Sequence, residues 1–283
     1  MSLDLSNVSK RFGKLQAVRG ASLKVSPGEG YAIIGPNGAG KTTLIKCLLR
    51  FYPRHGGATT FDGQPLLEVM SKQRVGYLPE RLTFNPLATA SDYLELQALV
   101  RGLRFSSLAT RVRNLAERLD LARWLRTPLG RFSKGMTRKL AFIQAVMHEP
   151  RLLILDEPTD GLDPVARRTV LGMVRELLAG GATALMTSHL LADLERVSDR
   201  VGVMLGGQLV AEIPLAELRS SGECTATLSR DGAGRRELYL RPGSAVDLGG
   251  EPWTVEGLAL RQRTLEDWYH EVLRERDAEG VRA

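Results

Sequence analysis

Apolar and polar positions alternate through residues 3–34, broken at Gly13, Gly20 and Pro27-Gly28, a pattern that predicts an antiparallel meander. The meander leads into Tyr31-Ala32-Ile33-Ile34, which reads as a short buried strand, and Thr43-Leu44-Ile45-Lys46-Cys47-Leu48-Leu49 then reads as a helix. Gly56-Gly57 and Asp62-Gly63 mark turns around a strand at 58–61. Residues 91–126 carry apolar side chains at helical spacing: Tyr93, Leu94, Leu96, Leu99 and Val100, then Val112, Leu115, Leu119 and Leu121. A strand at 152–155 precedes a helix with Asp163 as its cap and Pro164 at its first position, stopped by Gly180-Gly181. A buried strand at 183–186 and a hairpin at 201–213, centred on Gly206-Gly207, follow.

Character shifts near Pro214. Residues 215–283 hold ten Arg against thirteen Asp and Glu, so this tail is acidic while the rest of the chain is basic. Strands near 225–228, 237–240 and 253–260 are expected there, then a helix opened by Thr264 with Asp267 reaching back. The 283 residues suit one large α/β domain, 1–214, and a small accessory domain, 215–283.

Bulk properties narrow the class. No apolar run approaches the ~18 residues of a membrane span, and Met1-Ser2-Leu3-Asp4-Leu5-Ser6 lacks the pattern of a signal peptide. Cys47 and Cys224 lie far apart without metal or redox spacing, which fits a reducing cytoplasm. The net charge of +7 is concentrated: residues 101–139 hold eleven basic side chains, opposed only by Glu117 and Asp120. Such a block suits anionic lipid headgroups, an acidic partner or nucleic acid, or is a solvated helical face.

The sharpest chemistry is Gly35-Pro36-Asn37-Gly38-Ala39-Gly40-Lys41-Thr42, a phosphate loop between strand and helix, followed by Thr43. Its glycines let backbone N–H groups curl round a β-phosphate, and the helix N-terminus adds its positive dipole end. Lys41 would bridge the β- and γ-phosphates, and the Thr42 hydroxyl would ligate Mg²⁺. A nucleoside triphosphate is the expected ligand. Leu152-Leu153-Ile154-Leu155-Asp156-Glu157-Pro158 is a buried strand ending in adjacent carboxylates. Asp156 is expected to hold Mg²⁺, and Glu157 to orient the water attacking the γ-phosphate.

With these residues the sequence resembles the ATP-binding-cassette (ABC) ATPases over residues 3–213. Ser133-Lys134-Gly135-Met136 stands where that family carries its Ser-Gly-Gly-Gln signature, opening a helix at 137–147. The resemblance implies that this segment contacts the γ-phosphate bound to a second subunit. Gly161-Leu162-Asp163 looks like the family's D-loop, and His189 like its switch histidine. Phe12 resembles the aromatic that stacks on adenine, with core packing as the alternative. Glu80 replaces the usual Gln and is a candidate Mg²⁺ ligand; Lys134 and Met136 replace Gly and Gln in the signature. Lys134 is expected to place positive charge near the opposing γ-phosphate. These departures, with Thr264-Leu265-Glu266-Asp267-Trp268-Tyr269, are similar to bacterial ATPase subunits of the ABC-2 efflux group.

The resemblance implies an α/β P-loop NTPase with a mixed central sheet, an N-terminal antiparallel β subdomain and a helical subdomain at about 88–145. It implies an ATP- and Mg²⁺-dependent ATPase, dimeric with itself or a similar subunit. Such a chain would serve a separate membrane-spanning subunit at the cytoplasmic face. The groove by Glu80, Leu82, Phe84, Pro86 and the helix from Asp92 is the expected socket for that partner. Nucleic acid is not expected, since no aromatic-interleaved basic stripe is present. A non-transport ATPase acting on ribosomes or DNA, or a regulatory module, stay open as alternatives.

Overall fold

The computed structural model describes residues 2–53, 56–71, 75–220, 223–230, 234–240, 254–261 and 263–278. The chain parts into two compact units, Met1–Glu212 and Ile213–Arg282. In the first, β1 (Leu3–Phe12) and β2 (Leu15–Val25) pair antiparallel, Leu3 opposite Val25 and Phe12 opposite Leu15. The expected meander stops there. β3 (Gly30–Ile34) is buried at all five residues and joins a different, parallel sheet. An apolar strand buried on both faces fits between helix-covered neighbours, not in a sheet with one wet face.

After α1 (Lys41–Leu48), β4 (Gly56–Phe61) adds to the free side of β1 and carries the two-residue β5 (Gln64–Pro65). Gly56, expected in a turn, is instead paired opposite Ser9. The strand order of this sheet is β2-β1-β4-β5.

The chain continues through α2 (Leu66–Ser71) and β6 (Val75–Leu78) into α3 (Ala90–Val100), α4 (Phe105–Arg118) and α5 (Lys134–Val146). α3 starts before Asp92. Thr89 caps it, accepting from the Asp92 backbone N–H at 3.2 Å, while the Asp92 carboxylate accepts from the Thr89 N–H at 2.9 Å. Such a reciprocal cap contributes about 1 kcal/mol. Leu94, Val112, Leu115, Leu140, Phe142 and Ile143 from these helices fill one core cluster.

Then come β7 (Leu152–Asp156), α6 (Pro164–Ala179), β8 (Thr183–Thr187), α7 (Leu191–Val197), β9 (Arg200–Leu205) and β10 (Gln208–Pro214). Asp163 caps α6 by accepting from the N–H groups of Val165 and Ala166, both at 2.9 Å. The second sheet runs β10-β9-β3-β8-β7-β6, with β9, β3, β8, β7 and β6 mutually parallel. The C-terminal ends of β3, β8, β7 and β6 therefore lie side by side. They are followed by the phosphate loop, His189, the Asp156-Glu157 pair and Glu80, respectively. Ligands of open α/β sheets bind at this rim.

The basic block is not one uniform solvated face. Arg138 is only 5% exposed, Arg111 pairs with Glu149, and Arg118 holds both carboxylate oxygens of Glu176 at 2.7 and 2.6 Å.

The second unit comprises α8 (Leu215–Ser220), then β11 (Glu223–Arg230), β12 (Gly234–Leu240) and β13 (Thr254–Arg261) in an antiparallel sheet of order β12-β11-β13, then α9 (Leu265–Ala278). Trp253, where the third strand was expected to start, lies outside the described residues. Thr264 and Asp267 close a capping box on α9, and Leu265, Trp268 and Val272 are buried. The Leu-Glu-Asp-aromatic run thus has a local cause: a cap and two buried side chains. Among the described residues no helix is long and apolar enough to cross a membrane.

Candidate functional site

Gly40 ends the phosphate loop as the N-cap of α1, at φ 102°. A Cβ there would meet the Ala17 carbonyl oxygen at 2.4 Å, so neither the conformation nor the space admits another residue. The loop's first N–H groups are left for an anion, as at any helix start. Lys41 folds over the loop, its Nζ donating to the carbonyls of Gly35 at 2.6 Å and Pro36 at 3.1 Å. Burial lowers its pKa, while the negative charges of Glu157, Asp156 and Glu80 act the other way.

A cleft of about 770 Å³ opens over the loop. Its walls bring together Phe12, Asn37, Gly38, Ala39, Gly40, Lys41, Thr42, Thr43, Glu80, Glu157 and His189. Asp156 lies just behind, 1% exposed. Its Oδ1 accepts from the Thr187 hydroxyl at 2.6 Å and stands 3.5 Å from Thr42 Oγ1. Glu157 follows in the left-handed region, φ 54°, a conformation costing about 1–3 kcal/mol for such a residue. Its main chain is held on both sides. The N–H donates to the Thr187 carbonyl at 3.1 Å and to the Thr187 hydroxyl at 3.2 Å, and the carbonyl accepts from Arg138. The bond from the charged Arg138 is worth about 1.5–3 kcal/mol, enough to offset the strain.

The turn aims the Glu157 carboxylate at His189. Oε2 lies 2.8 Å from His189 Nδ1 and 3.2 Å from its backbone N–H. A proton on Nδ1 satisfies that contact and makes Nε2 of the neutral ring an acceptor.

Ser133, Lys134, Gly135 and Met136 do not line the cleft. α5 begins at Lys134, three residues before the expected start, because Ser133 Oγ caps it by accepting from the Met136 N–H at 3.2 Å. Capping uses a lone pair and leaves the Ser133 O–H free to donate. Lys134 is engaged within its own chain: its Nζ pairs with Asp160 at 2.8 Å, and this partner lowers the Asp160 pKa. Gly161 sits at φ 74°, where a Cβ would meet the Lys134 stem at 2.8 Å, so the glycine makes room for this pair. Leu162 is a core residue and the Asp163 carboxylate is occupied as a helix cap.

Phe12 is not a core residue. It is 41% exposed, edge-on to Tyr52 with ring centroids 5.0 Å apart. Leu82 and Phe84, expected to line a docking groove, pack against the helical core. The exposed apolar surface nearby is Leu87, Leu96, Leu99 and Val100.

Two residues at this site escaped the sequence reading. Thr187, which the sequence reading left beyond the strand at 183–186, ends β8 and holds both Asp156 and Glu157. Arg138 was hidden in a basic run. Its guanidinium donates to the carbonyls of Pro79 (2.5 Å), Glu80 (3.2 Å), Asp156 (2.8 Å) and Glu157.

The donor set fits a hard divalent cation. Asp156 Oδ2 is buried and has no hydrogen-bond partner among the described residues; the Thr42 hydroxyl stands 3.5 Å from the other oxygen of the same carboxylate, and Glu80 is on the cleft wall. Burial raises the Asp156 pKa above its ordinary 3.8, with Glu80 and Glu157 adding to the rise and hydrogen bonds from Thr187 and Thr42 opposing it. The folded state thus holds this proton more tightly than the unfolded one, and ionisation weakens the fold as pH rises through that range. A cation on the ionised form reverses the effect. Mg²⁺ should therefore raise Tm more at neutral pH than at a pH acid enough to protonate this carboxylate. Equal shifts at both pH values by scanning calorimetry would count against this site.

Comparison with known proteins agrees with this geometry. The family pattern described as ABC transporter matches residues 18–160, just over half of the chain. An uncharacterized ABC transporter ATP-binding protein of Synechocystis is 35% identical over 212 residues, 74% of this chain; the match spans 60% of that protein's length. Nod factor export ATP-binding protein I of Burkholderia lata is 37% identical over 225 residues, 78% of this chain and 74% of that one. A solved ATP-binding subunit of an ABC transporter superposes with a TM-score of 0.71 at 31% identity, covering 77% of this chain and 92% of its own. The chain belongs to the ABC transporter family.

Proposed function

We propose that this protein is the ATP-hydrolysing subunit of an ABC transporter, energising a separate membrane-spanning subunit at the cytoplasmic face. The observation that carries the reading is the Glu157–His189 pair on the wall of the same cleft as Lys41 and the phosphate-loop N–H groups. Lys41 and those N–H groups hold the β- and γ-phosphates. Glu157 orients a water against the γ-phosphorus: with Oε2 fixed by His189, Oε1 is left for the water. The new P–O bond forms as the bond to the ADP oxygen breaks. That oxygen keeps the electron pair, and the water's proton passes by way of Glu157 to the phosphate product. Thr42, Asp156 and Glu80 would hold Mg²⁺, which neutralises phosphate charge when bound.

The signature residues Ser133 to Met136 stand off the cleft, and the Ser133 O–H and the N-terminus of α5 are open to a second subunit's γ-phosphate, while Lys134 is held by Asp160. We assign the family's dimer to this chain on that ground, with Gly161, Leu162 and Asp163 as the neighbouring loop and Phe12 beneath the adenine. The exposed Leu87, Leu96, Leu99 and Val100 offer an apolar face to the membrane subunit. Export is the direction named for the Burkholderia relative, and we extend it to this chain.

The reading is tested first at Lys41. Lys41→Ala removes the ammonium and should weaken ATP binding about tenfold or more, since a charge-assisted contact of ~1.5–3 kcal/mol is lost. ADP, which lacks the γ-phosphate, should lose less. Unchanged ATP affinity by calorimetric titration would defeat the assignment.

A further inference from the structure

Arg138 is a buried cation whose hydrogen-bonding acceptors among the described residues are all main-chain carbonyls. They belong to two places: Pro79 and Glu80 after β6, and Asp156 and Glu157 at the end of β7. Parallel strands end with carbonyls to which no neighbouring strand donates. A guanidinium suits this task because its rigid fork serves several acceptors at fixed angles, which an ammonium on a flexible stem does not. Two nitrogens reach the four carbonyls, one to each strand end; Nε is buried and has no partner among the described residues. The carboxylates of Asp160, Asp156, Glu157 and Glu80 surround the charge. Arg138 itself sits in the second turn of α5, five residues after Ser133, which caps that helix.

We infer that Arg138 is a positioning residue. It fixes the left-handed turn of Glu157 and makes the helix carrying Ser133, the Glu80 segment and the hydrolytic carboxylate move as one piece. The inference rests on the ATPase reading above and deepens it. A partner's phosphate at Ser133, or a membrane subunit at the Glu80 segment, would then reach Glu157 through one side chain. No chain of intervening contacts is needed.

The test uses the full chain with Arg138→Gln and Arg138→Lys, each checked by thermal melting. Misplacing a reacting group by about 1 Å costs ~10²-fold in rate, so kcat should fall about that much in Arg138→Gln, with KM and nucleotide affinity within about threefold. Arg138→Lys should lie between that variant and wild type. In a Glu157→Gln background, Arg138→Gln should lower the residual rate less than about twofold, because the group it positions is already gone. Amide exchange through β6 (75–78) and over 156–160 should quicken together while α1 (41–48) stays protected, an outcome that does not depend on hydrolysis. Coupled exchange in a chain that hydrolyses no ATP would defeat the ATPase reading and leave the coupling standing. A rise in KM with kcat unchanged, a multiplicative loss in the double variant, or quickened exchange throughout the fold would overturn the inference.

Discussion

Replacing Glu157 with Gln should leave ATP bound and slow its hydrolysis by about 10²–10⁴, the usual contribution of an oriented acid–base group. The substitution is close to isosteric. A glutamine oxygen can still accept from the His189 backbone N–H, and the contacts that set the turn, to Thr187 and Arg138, use only the main chain of residue 157. What is lost is the carboxylate's capacity to accept a proton from water. Phosphate release and nucleotide titration on the same preparation separate the two effects. Turnover near the wild-type rate would remove Glu157 from the mechanism, and lost ATP binding would show that the change had reached the phosphate loop.

The second large effect concerns association. In the Glu157→Gln chain, ATP should drive dimer formation measurable by light scattering, and adding Ser133→Arg should abolish it. Ser133 is exposed, so a larger side chain has room in the monomer, and the helix cap it forfeits is worth about 1 kcal/mol. That is small beside the ~5–15 kcal/mol of a typical domain. In a closed dimer the same side chain would stand between the α5 N–H groups and the opposing phosphate. Dimers of normal stability in that variant would show that Ser133 meets no partner.

The sequence foretold those parts of the site whose chemistry is local. Gly35 to Thr42 needs particular residues in a row, and Asp156-Glu157 announces itself by following four apolar positions. The cap at Asp163 and the stop at Gly180 also lie where their residue types require them. What escaped was set by neighbours distant in the chain. β3 left the expected meander because its partners are β8 and β9, far downstream. The ion pair of Lys134 was not legible because Asp160, which pairs with it, is adjacent only after folding. Arg138 has the composition of a surface residue and the environment of a core one. No local pattern distinguishes a solvated arginine from one that collects four carbonyls.

The position of β3 has a consequence for synthesis. The phosphate loop is made early, yet the strand carrying it is flanked only by β8 and β9, with Gly30 opposite Ala184 and Tyr31 opposite Arg200. Until residues near 187 have left the ribosome the loop's strand has no neighbour in its sheet, and it stays open on its other side until residues near 205 follow. A nascent chain therefore carries the nucleotide-binding sequence for most of its elongation without a nucleotide-binding site. Competence arrives in one late step, when the interior strand is closed from both sides.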